Sequence, residues 1–165
     1  MTSGLARALD RPEPQSKRRL RLWLRLYAAT SVIEREMRRF LRARFATTLP
    51  RFDLMAALER APDGLPMGEL SRRLMVSGGN VTAIVDGLER DGLVARRAPA
   101  NDRRTSCVGL TDQGRRVFQE MAREHERWID ELLAHLPDRE VEVLAGLLAD
   151  LKHVAEARAD TEGAR

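Results

Sequence analysis

The sequence predicts a mostly α-helical protein with one short β-hairpin among its helices, and three observations favour this class. Aromatic residues make up only 4% of the 165 residues, so Leu, Val, Ile, Met and Ala must form the core, as is usual when helices pack on helices. Apolar residues recur at helical spacing through long segments near both ends of the chain. One stretch, RRAPANDRRTSCVGLT at residues 96–111, instead combines turn residues with an alternating apolar pattern.

The length and composition limit the class of protein further. A chain of 165 residues with 43% hydrophobic residues can bury one compact core. No apolar run approaches the roughly 20 residues that span a bilayer, and no apolar signal core follows the charged N-terminus, so we expect a cytoplasmic protein. The single cysteine, Cys107, cannot form an internal disulfide, and the three histidines lack the spacing of a metal site. We expect no cofactor and, since the spacing assembles no catalytic group, no enzymatic activity.

Basic residues are unevenly distributed along the chain, whose net charge is +4. The first predicted helix opens with Lys17, Arg18, Arg19, Arg21 and Arg25. The chain from residue 138 onward carries more acids than bases. Such asymmetry favours a polyanionic partner, although solvated helix faces explain many charge runs.

The first third of the chain predicts an arm and two helices. Residues 1–16 contain two prolines and no apolar periodicity, which is typical of a flexible arm. Over residues 16–45 apolar side chains follow helical spacing with arginines between them, so one long amphipathic helix is predicted. Thr48, which precedes Pro50, is a candidate cap of a second helix that ends at the Pro-Asp-Gly of residues 62–64.

Two short helices joined by a tight turn follow. Residues 67–74 form two helical turns, and residues 75–77 are too few for anything but a turn. The next helix is predicted over residues 78–91, because Ser77 can cap its start and Gly92 stands where a left-handed residue ends a helix.

The outer face of this second short helix is small and polar near its N-terminus. Apolar residues at i, i+3, i+4 and i+7 turn inward, namely Val81, Ile84, Val85 and Leu88. The opposite face carries Gly79, Asn80, Thr82, Ala83, Asp86 and Arg90. Such a helix fits the major groove of DNA: Asn80 can pair with an adenine edge, Thr82 can contact bases, and Arg90 is better placed for a phosphate. An ordinary helical hairpin with a polar outer face explains the two helices equally well.

The predicted β-hairpin follows directly. Residues 93–97 and 105–110 are short strands that leave Arg103 and Arg104 at the tip of the loop between them. Arginine at such a tip suits a narrow minor groove, where the negative potential is enhanced. Asp102 can hold an arginine in position through a bidentate pair. The alternative is a solvated turn with an incidental ion pair.

These elements resemble the winged helix-turn-helix core of the MarR family of bacterial transcriptional regulators. The resemblance rests on GELSRRLMVSGGNVTAIVDGLERDGLVARR at residues 68–97 and on NDRRTSCVGLTDQG at residues 101–114. It implies a homodimer whose two lobes bind a pseudo-palindromic operator in double-stranded DNA. Together with the residue pattern, it gives as DNA contacts Arg72, Ser77, Gly79, Asn80, Thr82, Ala83, Arg90, Arg103 and Arg104, with Asp102 supporting the wing.

Long apolar stripes flank this core and are expected to form the dimer contacts. Thr111 can cap a helix with a stripe over residues 117–136, and a second stripe follows Pro137 over residues 144–154. Core packing within one chain is the alternative for some of these leucines. The predicted organisation is an arm (1–16), dimerisation and scaffold helices (17–62), a winged lobe (63–111), dimerisation helices (112–158) and a flexible tail (159–165).

The resemblance also implies a repressor that a small aromatic ligand releases from DNA. The first-helix region is similar to branches of the family that control aromatic-acid catabolism, including those that sense hydroxycinnamoyl-CoA thioesters. On this interpretation Trp23 and Tyr27 contact the ligand and Arg19 binds phosphates of the CoA, although aromatic residues are more often core. A second class of function stays open, namely a winged-helix protein-interaction module that does not read DNA.

Overall fold

The computed structural model describes residues 14–97 and 107–163. Within these ranges the helices are α1 (Gln15–Phe45), α2 (Leu49–Glu59), α3 (Met67–Leu74), α4 (Gly78–Arg90), α5 (Asp112–Leu133) and α6 (Asp138–Gly163). The strands are β1 (Leu65–Pro66), β2 (Val94–Arg97) and β3 (Cys107–Leu110). The predicted class, mostly helical with a small wing, is confirmed. The chain forms two compact units that divide after Phe118.

Helix α1 agrees with the predicted long helix but starts inside the segment expected to be the arm. It begins at Gln15 because Pro14, with φ −52°, occupies the N-cap position, where the missing proline N–H costs no hydrogen bond. Residues 1–13 of the predicted arm lie outside the described residues. Of the 31 residues of α1, Met37 and Leu41 are buried, so its first half contributes little to the core of the single chain. No helix in the described ranges is both long and apolar enough to cross a membrane.

Helix α2 contributes more buried side chains to the core than any other helix in the described ranges. Thr48 is its N-cap residue as predicted, but the Thr48 hydroxyl makes no capping hydrogen bond, and the backbone carbonyl of Thr48 instead accepts from the N–H of Phe52 at 3.1 Å. Four side chains of this helix are buried, namely Phe52, Leu54, Met55 and Leu58. The ring of Phe52 packs on that of Phe118 with 5.5 Å between the centroids.

Helices α3 and α4 form the predicted helix-turn-helix. The turn between them places Met75 in the left-handed region at φ 51°, and the Ser71 hydroxyl donates to the carbonyl of Val76 at 2.6 Å. The Ser77 hydroxyl accepts the backbone N–H of Asn80 at 3.5 Å, so the predicted cap of α4 is confirmed. Helix α4 is anchored by its buried side chains, Val81, Val85 and Leu88.

The end of α4 is fixed by a left-handed glycine and by the start of α5. Gly92 has φ 70°, as predicted, and the N–H of Leu93 donates to the carbonyl of Leu88 at 2.9 Å. The Thr111 hydroxyl donates to the carbonyl of Gly92 at 2.7 Å and accepts the N–H of Gly114 at 2.9 Å, which confirms the predicted cap of α5. One threonine thus ties the C-terminus of α4 to the N-terminus of α5.

The wing contains one strand more than predicted. The sheet order is β1-β3-β2, and both pairs are antiparallel, with Leu65 opposite Val108 and Val94 opposite Leu110. Strand β1 approaches closely because Gly64, at φ 85°, has no side chain: a Cβ there would lie 2.7 Å from the carbonyl oxygen of Val108.

The two C-terminal helices carry the predicted apolar stripes, but α5 ends earlier than the stripe suggested. It stops at Leu133, and Leu136 lies in the turn before α6, with its N–H donating to the carbonyl of Leu133 at 2.9 Å. Every side chain described in α6 is exposed in the single chain, so the leucines of the second stripe are not part of its core.

Candidate nucleic-acid interface

The predicted base-reading residues lie together on the exposed start of α4. Because Val81, Val85 and Leu88 hold the opposite face in the core, the first turns of α4 point a polar surface outward. The exposed residues of this surface are Ser77, Gly79, Asn80, Thr82 and Ala83.

Asn80 is the member of this surface with the most unused hydrogen-bonding capacity. Its carboxamide makes no hydrogen bond to any residue in the described ranges, so both its donor and its acceptor face solvent. Gly78 and Gly79 precede it, and a Cβ on either glycine would meet no atom within 4 Å. The fold itself therefore does not require these glycines, and they leave the helix start open to a close approach from outside.

The two hydroxyls of this surface are partly engaged by the helix. Ser77 accepts the N–H of Asn80, as its capping role requires. The Thr82 hydroxyl donates to the carbonyl of Gly78 at 3.0 Å, which leaves its methyl group and an acceptor lone pair for a ligand. Thr82 is consequently a weaker donor to bases than the sequence suggested.

Arg72 and Arg90, two of the predicted DNA contacts, differ in their surroundings. Arg72 of α3 forms an ion pair with Glu69 one turn earlier, yet its side chain stays 78% exposed. Arg90 is exposed at the last turn of α4. Both guanidinium groups are accessible to an anion, although Arg72 must share its charge with Glu69.

A side-chain cluster that sequence reasoning missed joins the wing to α4. Arg96 of β2 forms ion pairs with Asp86 and Glu89 of α4, and its backbone N–H also donates to the Glu89 carboxylate at 3.3 Å. The hydrogen bond to Asp86 is the main reason why the pKa of the Arg96 guanidinium is raised above its ordinary value. We call these three residues the wing tether. The signal in the sequence was an acidic pair at i, i+3 on α4 followed by an arginine in the next strand.

Two further ion pairs hold the lobe together. Arg51 of α2 pairs with Asp91, the C-cap residue of α4, and this hydrogen bond lowers the pKa of the Asp91 carboxyl. Arg115 of α5 pairs with Glu59 of α2 at 2.6 Å. The C-terminal end of α4, opposite the end that carries the base-reading residues, is thus tied to α2.

Three of the predicted site residues cannot be placed, because Asp102, Arg103 and Arg104 lie outside the described residues. Cys107 lies half-buried on β3, opposite Arg97 and Pro66 in the sheet. Among the described residues, no group of three or more His, Cys, Asp or Glu side chains is arranged to hold a metal ion.

The predicted ligand residues share the exposed first half of α1. The rings of Trp23 and Tyr27 stack with 5.8 Å between centroids and are 57% and 63% exposed, and Arg19 is exposed one turn before Trp23. None of the three lines the cleft that lies between α1, α2 and the helix-turn-helix, whose polar lining includes Asp53.

Comparison with known proteins agrees with this geometry. The profile of the MarR family matches residues 47–105. The transcriptional activatory protein BadR of Rhodopseudomonas palustris is 36% identical over 104 residues, which are 62% of this chain and 59% of BadR. The chain thus spans about three fifths of the length of that curated relative.

Solved structures extend the likeness over most of the chain. A MarR family transcriptional regulator from Silicibacter pomeroyi is 33% identical, with a TM-score of 0.70 over 87% of this chain and 99% of that one. Streptococcus pneumoniae FabT, solved in complex with DNA, is 25% identical, with a TM-score of 0.71 over 84% of this chain and 97% of its own. The chain therefore belongs to the MarR family of DNA-binding, winged helix-turn-helix transcriptional regulators.

Proposed function

We propose that the protein is a sequence-specific regulator that reads double-stranded DNA with the start of α4. The observation that carries the proposal is the exposed surface on which Asn80 has a free carboxamide and Gly79 leaves room for a base or phosphate. Residues 63–111 are the DNA-binding lobe, and residues 17–62 and 112–158 are the scaffold and dimerisation segments. The predicted arm (1–16) and tail (159–165) are shorter than expected, because α1 begins at Gln15 and α6 continues to Gly163. Arg72 and Arg90 are assigned to phosphates, and Arg103 and Arg104 of the wing, supported by Asp102, are assigned to the minor groove.

Fluorescence anisotropy tests this proposal on the DNA upstream of the protein's own gene. We expect saturable binding that weakens as salt rises, because phosphate contacts release counterions. An unrelated duplex of the same length is the control. Equal affinity for both duplexes would contradict sequence-specific reading of the upstream region.

We further propose that two copies form a homodimer through α1 and α6. Apolar side chains that are 36% to 63% exposed line the first part of α1, including Trp23, Tyr27 and Ile33. A second exposed stripe on α6 includes Leu147 and Leu151. Exposed apolar stripes of this kind mark an interaction surface. In a two-fold symmetric dimer the stripes of each chain would be buried against the partner chain.

Sedimentation equilibrium tests the dimer. The parent protein should sediment as a dimer, and Leu147→Glu should sediment as a monomer because it places a charge within the apolar stripe. Ala149→Glu puts the same charge on the opposite face of α6 and should leave the dimer intact. A dimeric Leu147→Glu variant would show that this stripe is not the interface.

For the effector, we propose an aromatic acid or its CoA thioester, of the hydroxycinnamoyl-CoA type, acting to release a repressor. The stacked Trp23 and Tyr27 provide an aromatic surface, and Arg19 provides a cation for a carboxylate or a phosphate. BadR is named as an activatory protein, so the alternative sign of regulation is activation. Adding a panel of aromatic acids and their thioesters to the DNA complex tests whether a ligand releases the protein from DNA. A promoter fusion in cells then shows whether the protein represses or activates transcription.

Gly79→Ala should change stability and DNA affinity in opposite directions. The alanine is expected to stabilise the fold by about 0.5 to 1 kcal/mol, because its Cβ meets no atom and alanine favours the helix. It should weaken DNA binding because the methyl group fills the space left for DNA. Urea unfolding and anisotropy measure the two effects. Gly68→Ala, whose Cβ also meets nothing, is the control and should stabilise α3 without loss of DNA affinity; parallel behaviour of the two variants would contradict the assignment of Gly79.

Loss of the wing tether should weaken DNA binding more than it weakens the fold. Arg96→Ala leaves the carboxylates of Asp86 and Glu89 uncompensated on the helix that faces DNA, so we expect a loss in affinity of about fivefold or more. The free energy of unfolding should fall by less than about 1 kcal/mol, as for other exposed ion pairs.

Two controls accompany the Arg96 variant. Adding Asp86→Asn and Glu89→Gln to Arg96→Ala should restore part of the DNA affinity, because the repelling charges are gone. Arg115→Ala removes one positive charge from the ion pair between α5 and α2, and it should lower DNA affinity less than Arg96→Ala does. Equal losses of DNA affinity for Arg96→Ala and Arg115→Ala would show that the wing tether affects DNA binding only through the net charge of the protein.

A further inference from the structure

The turn between α3 and α4 holds Met75 in a backbone conformation that favours glycine. Met75 has φ 51° and ψ 38°, which lie in the left-handed region. Two hydrogen bonds fix this shape: the N–H of Met75 donates to the carbonyl of Arg72 at 3.3 Å, and the N–H of Val76 donates to that of Ser71 at 3.2 Å. Glycine usually occupies the left-handed position of such a helix end, because a side chain there raises the energy of the backbone. The turn itself therefore does not require a methionine.

The side chain of Met75 does not contribute to the core either. It is 92% exposed, and the next most exposed large apolar side chain in the described ranges, that of Tyr27, is 63% exposed. The other exposed large apolar side chains among the described residues lie on α1, α5 and α6, so the proposed dimer stripes do not account for Met75. The chain thus keeps a large apolar side chain in water at a position where glycine would be more stable.

Met75 lies between two groups of predicted DNA contacts. It follows Arg72 of α3 by three residues and precedes Ser77, the cap of α4, by two. Two peptide units separate the Cα atoms of Met75 and Ser77 by at most about 7.6 Å, so a duplex that meets the start of α4 comes within reach of the Met75 side chain. The exposed methionine therefore adjoins the base-reading surface.

The apolar character of Met75 selects the part of DNA that it can contact. A thioether carries no charge and is only a weak hydrogen-bond acceptor, so it gains little from phosphates or from the polar edges of bases. The apolar group that the major groove displays is the C5-methyl of thymine. Methionine is unbranched and adapts its shape to such a surface, and contact between the two groups removes both from water.

We propose that Met75 is a specificity-determining residue whose side chain packs on the C5-methyl group of a thymine in the major groove, beside the base pairs that α4 reads. The inference rests on the proposed function, DNA reading by the start of α4, and adds to it a base preference that comes from the preceding turn. Residues 75–80 then read DNA in two ways, through an apolar contact of Met75 and through hydrogen bonds of Asn80.

Replacing single thymines by deoxyuridine tests the inference on a duplex that the parent protein selects from random DNA. The replacement removes one methyl group and keeps every hydrogen bond of the base pair. In fluorescence anisotropy with the parent protein, uracil at one position of each half-site should lower the affinity by about threefold, as expected for the loss of one methyl contact. Met75→Gln has a side chain of similar length without the apolar end, and it should bind the thymine and uracil duplexes equally. Met75→Leu keeps the apolar surface and should retain the preference for thymine.

Met75→Gly separates a role at DNA from a role in the fold. It should raise the urea midpoint of unfolding, because glycine relieves the left-handed turn, and it should lose the preference for thymine as Met75→Gln does. The inference alone is overturned if no uracil position weakens binding of the parent, if Met75→Gln keeps the uracil sensitivity of the parent, or if Met75→Gly unfolds at lower urea. A parent protein that selects no duplex overturns the proposed function and this inference with it.

Discussion

Gly114→Ala is expected to unfold the winged lobe and to abolish DNA binding with it. Gly114 lies in the first turn of α5, where the backbone passes directly against Leu93. A Cβ on Gly114 would overlap the carbonyl oxygen of Leu93 and lie 2.7 Å from its carbonyl carbon. Both atoms belong to the backbone that ends α4 and begins β2, so no side chain can rotate to make room. We expect a loss of about 3 kcal/mol or more in the free energy of unfolding.

The same segment holds the hydrogen bonds that would have to break. Thr111 links the carbonyl of Gly92 to the N–H of Gly114, so displacing α5 removes both the cap of α5 and a tie to α4. Urea unfolding measures the effect, with Gly68→Ala as a glycine variant that meets no atom. An unfolding midpoint for Gly114→Ala equal to that of the parent would show that the close approach of α5 to Leu93 is wrong.

Asn80→Ala is expected to lower the free energy of DNA binding by about 1 to 3 kcal/mol through the loss of one base contact, and to relax specificity at that base pair. The carboxamide of Asn80 is exposed, has no described hydrogen-bond partner and lies beside two glycines that leave the helix start open. It can therefore donate to and accept from the edge of an adenine. Anisotropy with a set of duplexes that differ by single base pairs measures the loss and shows where it occurs.

Arg90→Ala is the matched control for Asn80→Ala on the same helix. As a phosphate contact it should weaken all duplexes alike and reduce the salt slope by about one. A loss from Asn80→Ala that is equally uniform across sequences would show that Asn80 does not read a base.

The helix-turn-helix could be predicted from sequence because each of its boundaries has a local signal. Ser77 caps α4, and Gly92 takes the left-handed conformation that ends it. The apolar spacing in between correctly identified the buried face with Val81, Val85 and Leu88. Because the chain belongs to a family of transcriptional regulators, the prediction that it is not an enzyme is also confirmed.

Features that depend on tertiary contacts were not predictable. Strand β1 has two residues, too few to show alternation, and it forms because Gly64 lets it approach β3. The wing tether pairs Arg96 with acids seven and ten residues earlier, a spacing that becomes meaningful only once β2 folds back along α4. Met75 adopts a left-handed conformation without the glycine that normally signals one.

The predicted ligand residues are a further case in which the sequence pattern did not show where side chains lie in the fold. Aromatic content singled out Trp23 and Tyr27, but the exposed first half of α1 leaves both outside the cleft beside the helix-turn-helix.

Selection from random DNA duplexes assumes no operator, so it separates a protein that reads DNA from a protein-interaction module. The two lobes of a homodimer should enrich an inverted repeat whose half-sites are about one helical turn apart, roughly 34 to 36 Å. Asn80→Ala should lose the preference at one position of each half-site. If folded, dimeric protein enriches no sequence over the starting pool, α4 does not read bases and the protein-interaction module is favoured.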